Sequence, residues 1–260
     1  MEKLLEIMEA LRDPQSGCPW DIKQTFKSVV PYTLEEAYEV ADAIENGDMS
    51  ELKSELGDLL FQVVFYAQMA KEQGEFDFND VVNAVSNKLI DRHPHVFNNV
   101  DCKDEKQLNE AWERSKANER DQQASKKKAS ILAGVAKALP ALKRAQKLQK
   151  RAAREGFDWP NVEPVWKKIE EELQELREAM QQKKSQNIFE EIGDVLFSCV
   201  NLARHIDIDA EESLRACNKK FENRFSYIEG SLAKAGKSVS GCSLDRLEVL
   251  WQEAKQKADR

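Results

Sequence analysis

Eight carboxylates in this 260-residue chain stand in a pattern that metal-ion chemistry could use. Glu36 and Glu39 are followed by Glu55 and Asp58, and the same order returns as Glu172, Glu175, Glu191 and Asp194. Each pair is spaced i, i+3, so on a helix of 3.6 residues per turn both members lie toward one flank. Four carboxylates gathered at one edge repel each other unless cations neutralise them. Their all-oxygen donor set suits a hard ion, Mg²⁺ first and Mn²⁺ as a substitute. Mg²⁺ keeps several waters and recruits phosphate oxygens, so the pattern points to a polyphosphate substrate rather than a closed structural site. One isolated Glu-x-x-Glu would read as the solvated flank of an amphipathic helix; two pairs in two copies do not. A di-iron bundle would need Glu-x-x-His on two helices, and that motif does not occur.

The elements that must position these groups are helices. Apolar residues recur every three to four positions, β-branched alternation is nearly absent, and only 10 Gly and 7 Pro punctuate the chain. In the first copy Ala37, Val40 and Ile44 mark an apolar stripe, matched by Leu173, Leu176 and Met180. Glu36 and Glu172 lie roughly 70° off that stripe, with Glu39 and Glu175 about 60° further round. On the next helix of the second copy Ile188, Ile192, Val195, Leu196 and Cys199 form the stripe, and Glu191 and Asp194 are offset in the same sense. Asn46-Gly47-Asp48-Met49-Ser50 is a short connection, which predicts an antiparallel hairpin. Packing through equivalent stripes then brings each quartet to one edge. In the first half, helices are expected near 2–12, 33–46, 50–73, 78–92 and 104–118.

The chain is a duplication. Both quartets are related by one constant offset, and flanking segments repeat in the same order. Gly17-Cys18-Pro19-Trp20-Asp21 echoes Gly156-Phe157-Asp158-Trp159-Pro160, Lys88 to Arg92 echoes Lys220 to Arg224, and Leu108 to Lys116 with Trp112 echoes Leu247 to Lys255 with Trp251. The predicted fold is all-α, with two tandem helical-bundle modules at 1–118 and 131–260. A charged segment at 119–130 links them; its Lys126-Lys127-Lys128 reads as solvated linker rather than a phosphate patch.

A formal charge of −8 argues against general nucleic-acid or membrane-surface binding. Hydrophobic residues make up 41% of the chain, enough for a core, yet no apolar run approaches a membrane span. The N-terminal stretch Met1 to Glu9 is interrupted by acids, unlike a signal peptide. Five scattered cysteines with no Cys-x-x-Cys pair suit a reducing cytoplasm.

These residues resemble the MazG family of all-α nucleoside triphosphate pyrophosphohydrolases, whose hallmark is EExxE followed at a distance by ExxD. The resemblance extends to Gly17-Cys18-Pro19-Trp20-Asp21, Pro31 to Glu36, Arg92-His93-Pro94-His95-Val96-Phe97 and Gly156-Phe157-Asp158-Trp159. It implies hydrolysis of nucleoside triphosphates to monophosphate and pyrophosphate, serving nucleotide-pool house-cleaning or regulation, and homodimers whose helices pair across subunits. Carried over by position, it makes Glu172, Glu175, Glu191 and Asp194 metal ligands, with Glu36, Glu39, Glu55 and Asp58 as a second site.

Both acidic patterns are intact, so the surroundings decide between them. Lys167 and Lys168 precede Glu171 by about one turn, where the first copy has Tyr32 and Thr33. Ammonium groups beside the metal favour polyphosphate, so the second module is the expected catalyst. Lys168 and Lys167 also read as helix partners of Glu171 and Glu172. Lys220 and Arg224 share one helical face and are candidate phosphate contacts, and Trp251 is a candidate base-stacking or interface residue. Glu171 is the candidate proton acceptor for water attacking the α-phosphorus, with Glu172 and Glu175 beside it. His93 and His95 flank a proline and read as a helix end rather than a metal site. There is no GxxxxGK[ST] loop, so the chain is not a P-loop NTPase. The alternatives are a nucleotide- or partner-binding regulator with little turnover, and a plain helical scaffold.

Overall fold

The computed structural model describes residues 1–97 and 130–258. The chain divides into two compact units. The expected helix at 104–118 with Trp112, Cys102, and the linker at 119–130 except for Ser130 lie outside the described residues.

In the first unit α1 spans Glu2–Leu11, α2 Pro19–Lys23, α3 Phe26–Asn46, α4 Met49–Glu72, α5 Phe78–Arg92 and α6 Pro94–Phe97. In the second, α7 spans Ala141–Arg154, α8 Glu163–Gln182, α9 Ser185–His205, α10 Ala210–Lys234 and α11 Leu244–Ala258, with a 3₁₀ turn at Val239–Gly241. No strand occurs among the described residues, as the helical rhythm predicts.

Two starts differ from expectation. The helix expected from residue 33 begins at Phe26 and runs through Pro31. Its start is fixed by a capping box: Ser28 N donates to Thr25 Oγ1 at 3.2 Å, and Thr25 N to Ser28 Oγ at 2.9 Å. Pro31 lies one turn and a half in, where the helix forgoes one N–H bond to the carbonyl four residues back. The short α2 was not expected; Pro19 opens it with a preset φ.

The long helices of each unit form a hairpin closed by two residues. In the first, Gly47 takes a left-handed φ of 71° and Asp48 caps α4 by accepting from Ser50 N and Glu51 N. In the second, Lys183 adopts φ 54° and Lys184 gives no side-chain cap. The turn survives duplication although its best residues do not.

Buried faces also differ from the expected stripes. α8 buries Val165, Ile169, Glu172 and Ala179, a face centred roughly 60° from the Leu173–Leu176–Met180 stripe. Met180 is 58% exposed, its counterpart Ile44 59%, and Phe189 on α9 75%. Each module thus keeps apolar surface outside. In the first unit Met8, Val29, Val64, Phe65 and Met69 form the core that joins α1, α3 and α4. In the second, Ile228, Leu232 and Leu250 join α10 to α11.

Arg12 braces the first unit. Its guanidinium donates to Glu72 Oε1 at 2.9 Å and Oε2 at 2.7 Å, and also to the Asp21 carbonyl. The Arg12 hydrogen bond holds the Glu72 carboxyl below the usual glutamate range. A depressed carboxyl stabilises the fold above its unfolded-state range and loses that contribution as pH falls through its folded value. Glu72→Gln should therefore lower Tm at pH 7, and the gap to wild type should shrink progressively in unfolding curves recorded down to about pH 3. At the second turn, Lys183→Gly with Lys184→Asp should add about 1–2 kcal/mol, which raises Tm by roughly 2–8 °C in a thermal scan.

Candidate metal centre

Each hairpin brings three carboxylates of its quartet together. In the first, one oxygen each from Glu36, Glu39 and Glu55 lies within 4.8 Å of the others; in the second, Glu172, Glu175 and Glu191 do the same. Helices α3 and α8 supply two groups apiece, and α4 and α9 supply the third. Asp58 and Asp194 follow one helical turn later and are exposed, outside these trios. Asp58 is still near enough to raise Glu36 and Glu55 by charge repulsion.

Electrostatics marks both edges as cation-seeking. Partial burial, with Asp58 and Glu39 nearby, pushes the Glu36 carboxyl above the usual range. Glu55 is raised by desolvation and by Glu39 and Asp58. In the second edge, desolvation and the Glu172 charge raise Glu175. Three oxygen donors whose anionic forms repel one another, with a carboxylate one turn beyond, fit a hard divalent cation.

The second edge carries its own cation. Lys168 Nζ lies 2.7 Å from Glu171 Oε1 and 2.8 Å from Glu172 Oε1. These bonds, to Glu171 first, hold the ammonium above its ordinary range. Glu172 is buried, with only 6% of its surface exposed, so its charge needs such a partner. Lys168 also opposes the rise of Glu175. Glu171 itself stays at the exposed rim, outside the converged trio. Lys167 is exposed.

The first edge has an aromatic pair where the second has lysine. Tyr32 meets Trp20 edge-on with centroids 5.8 Å apart, and Thr33 is hydrogen-bonded to Tyr66 at 3.0 Å. His93 Nδ1 contacts the Leu89 carbonyl at 2.7 Å, a helix-end role.

Two of the remaining candidates, Arg224 and Trp251, meet in the second unit. The Arg224 guanidinium lies 5.6 Å over the Trp251 ring, and Phe221 sits 5.3 Å from that ring. Trp251 packs against the α10–α11 core, and Lys220 is exposed on α10. Among described residues, no helix is long and apolar enough to cross a membrane.

Sequence reasoning missed the groups that close the open end of the second hairpin. Asp158, in the loop before α8, accepts from Arg204 Nη1 at 2.9 Å and also from Arg204 Nη2; His205 Nε2 lies 3.0 Å from Asp158 Oδ1. The motif Gly-Phe-Asp158-Trp was visible, but nothing local ties it to a helix end 46 residues later.

The description "MazG nucleotide pyrophosphohydrolase domain" matches residues 24–97 and again 161–228. The chain is 50% identical over 258 residues to a nucleoside triphosphate pyrophosphohydrolase of Escherichia coli K12, covering 98% of this chain and 97% of that one. It is 44% identical over 254 residues to a nucleoside triphosphate pyrophosphohydrolase/pyrophosphatase MazG of Thermotoga maritima, covering 98% and 95%. A nucleoside triphosphate pyrophosphohydrolase of Mycobacterium tuberculosis matches at 31% over 236 residues, 90% of this chain and 60% of the relative.

Relief of repulsion sets a test that needs no substrate. Glu39→Gln and Glu175→Gln each remove one charge from a crowded trio. Each should raise Tm in chelator yet reduce the further rise that Mg²⁺ or Mn²⁺ gives the wild-type chain, measured by calorimetric scans with and without metal.

Proposed function

This chain belongs to the MazG nucleotide pyrophosphohydrolase family, and on that premise we propose that its second quartet is the working centre for the family's reaction. The activity is hydrolysis of nucleoside triphosphates to nucleoside monophosphate and pyrophosphate. The single observation that favours the second edge is Lys168 beside Glu172, a built-in cation at a buried carboxylate, where the first edge has Tyr32. A triphosphate brings several negative charges to carboxylates that already repel. An ammonium beside the metal offsets part of that cost.

In this reading Glu172, Glu175 and Glu191 hold the divalent metal, with Asp194 one turn further on α9. The metal is Mg²⁺, with Mn²⁺ as substitute. When bound, it neutralises phosphate charge and makes a neighbouring water more acidic. Water adds to the α-phosphorus, its proton passes to a carboxylate, and the bond to the β-phosphate oxygen breaks as pyrophosphate departs. Glu171 is the proposed proton acceptor; its bond to Lys168 fixes its orientation at the rim. Lys167 and Lys168 face the phosphates. Lys220 and Arg224 are further phosphate contacts, and the stacking of Arg224 on Trp251 puts a cation and an indole face side by side, as a nucleotide with base and phosphates requires.

The chain acts as a homodimer in this proposal, its exposed Met180, Phe189, Ile192 and Leu196 covered by a second copy. The modules are those at 1–118 and 131–260, joined through 119–130, and the setting is the cytoplasm, where the enzyme clears or regulates the nucleotide pool. Neither nucleic acid nor membrane is a partner.

Incubation with each nucleoside triphosphate and Mg²⁺, followed by product separation, tests the bond cleaved; nucleoside diphosphate with phosphate would contradict it. Glu172→Ala with Glu175→Ala should lower kcat/KM at least about 100-fold, whereas Glu36→Ala with Glu39→Ala should retain most turnover. The reverse outcome would assign catalysis to the first edge, and no turnover in any case would favour a nucleotide-binding regulator.

A further inference from the structure

The α8–α9 hairpin is closed at one end by the two residues Lys183 and Lys184. Its other end is open in sequence, since the chain enters α8 from a loop and leaves α9 toward α10. A one-residue slip of α8 along α9 moves a side chain about 1.5 Å and turns it by about 100°, enough to scatter three oxygens that must stay within 4.8 Å. Part of the apolar surface of both helices faces outward, with Met180 58% and Phe189 75% exposed.

The open end carries a specific tie. Asp158, five residues before α8, receives both Nη groups of Arg204 and faces His205 Nε2, and Arg204 and His205 form the last turn of α9. Arg204 Nε donates to Asn201 Oδ1 at 2.9 Å, so the guanidinium is itself held in place. Side chains of Arg204 and His205 are only 13% and 10% exposed, and a planar fork on a carboxylate fixes angle as well as distance. Asp158 also accepts from Trp159 N at 2.9 Å, which orients the loop that enters α8.

The first module closes the corresponding gap with the charges exchanged. There the carboxylate, Glu72, ends the second acidic helix α4. The guanidinium of Arg12 grips it and also binds the Asp21 carbonyl in the segment before α3. Both modules thus anchor the last turn of their second acidic helix to the segment that precedes the first, each with an arginine–carboxylate pair.

We propose that Asp158, gripped by Arg204 and His205, is a positioning residue that sets the register of α8 against α9, and thereby the spacing of Glu172, Glu175 and Glu191. The effect on turnover rests on the reading that this edge is the catalytic one; the effect on spacing does not. Asp158 touches no reacting atom. It acts through the two helices, with the tie roughly 20 Å along α9 from Glu191.

The test pairs Mn²⁺ calorimetry on the full-length chain, without nucleotide, with steady-state kinetics at saturating Mg²⁺. Asp158→Asn and Arg204→Lys should each weaken Mn²⁺ binding about tenfold and lower kcat by a similar factor, with KM for the triphosphate within about twofold. Asp158→Glu should restore part of both. Arg204→Lys keeps the charge and loses only the fork, so it reports even if Asp158→Asn folds poorly. Variants with lowered Tm but wild-type Mn²⁺ affinity and kcat would overturn the proposal. If Glu172→Ala with Glu175→Ala leaves turnover intact, the catalytic reading fails, and the Mn²⁺ affinities of the Asp158 and Arg204 variants still decide the positioning role. If that pair abolishes turnover while Asp158→Asn changes neither affinity nor kcat, the positioning role alone fails.

Discussion

Three carboxylate oxygens held within 4.8 Å of one another are the constraint on which each hairpin depends. Left alone they would spread or take up protons, since like charges at that distance raise one another's pKa. They stay together because two antiparallel helices fix their backbones at a separation set by packing and by a two-residue turn. Function then requires the fold to hold an arrangement that folding by itself opposes. This explains why the hairpin is secured at both ends, and why removing one of these acids is expected to help the fold and harm the chemistry.

The two copies answer the same electrostatic problem differently. The first leaves Glu36 and Glu55 raised by desolvation and by the charges of Glu39 and Asp58, and places Tyr32 against Trp20 nearby. The second buries Glu172 more deeply and gives it Lys168. A lysine at a carboxylate edge lowers the cost of bringing in an anionic substrate, and an aromatic pair does not. Duplication has thus kept the donor atoms and changed the field around them. The turn shows the same drift, from Gly47 and Asp48 with matched conformations to Lys183 and Lys184, where the tertiary fold overrides local preference.

Much of this was legible in the sequence because it is local. The i, i+3 acid pairs, the apolar rhythm and the repeated order of motifs are all read within a turn or two of helix, and they predict all-α hairpins with carboxylates along one edge. The start of α3 at Phe26 had a local signal too, the Thr25–Ser28 box. Buried faces were not legible. Periodicity gives the width of an apolar stripe but not which part of it a single chain covers, so Glu172 lies inside and Met180 outside. Nor was the tie between Asp158 and Arg204, a pairing 46 residues apart that only the folded hairpin creates.

Crystals of the full-length chain grown with Mn²⁺ and measured at the manganese absorption edge would test the central claim most directly. An anomalous peak about 2–2.3 Å from oxygens of Glu172, Glu175 and Glu191 is the predicted result. Ordered carboxylates at both edges with the manganese bound elsewhere, or only at Glu36, Glu39 and Glu55, would contradict it.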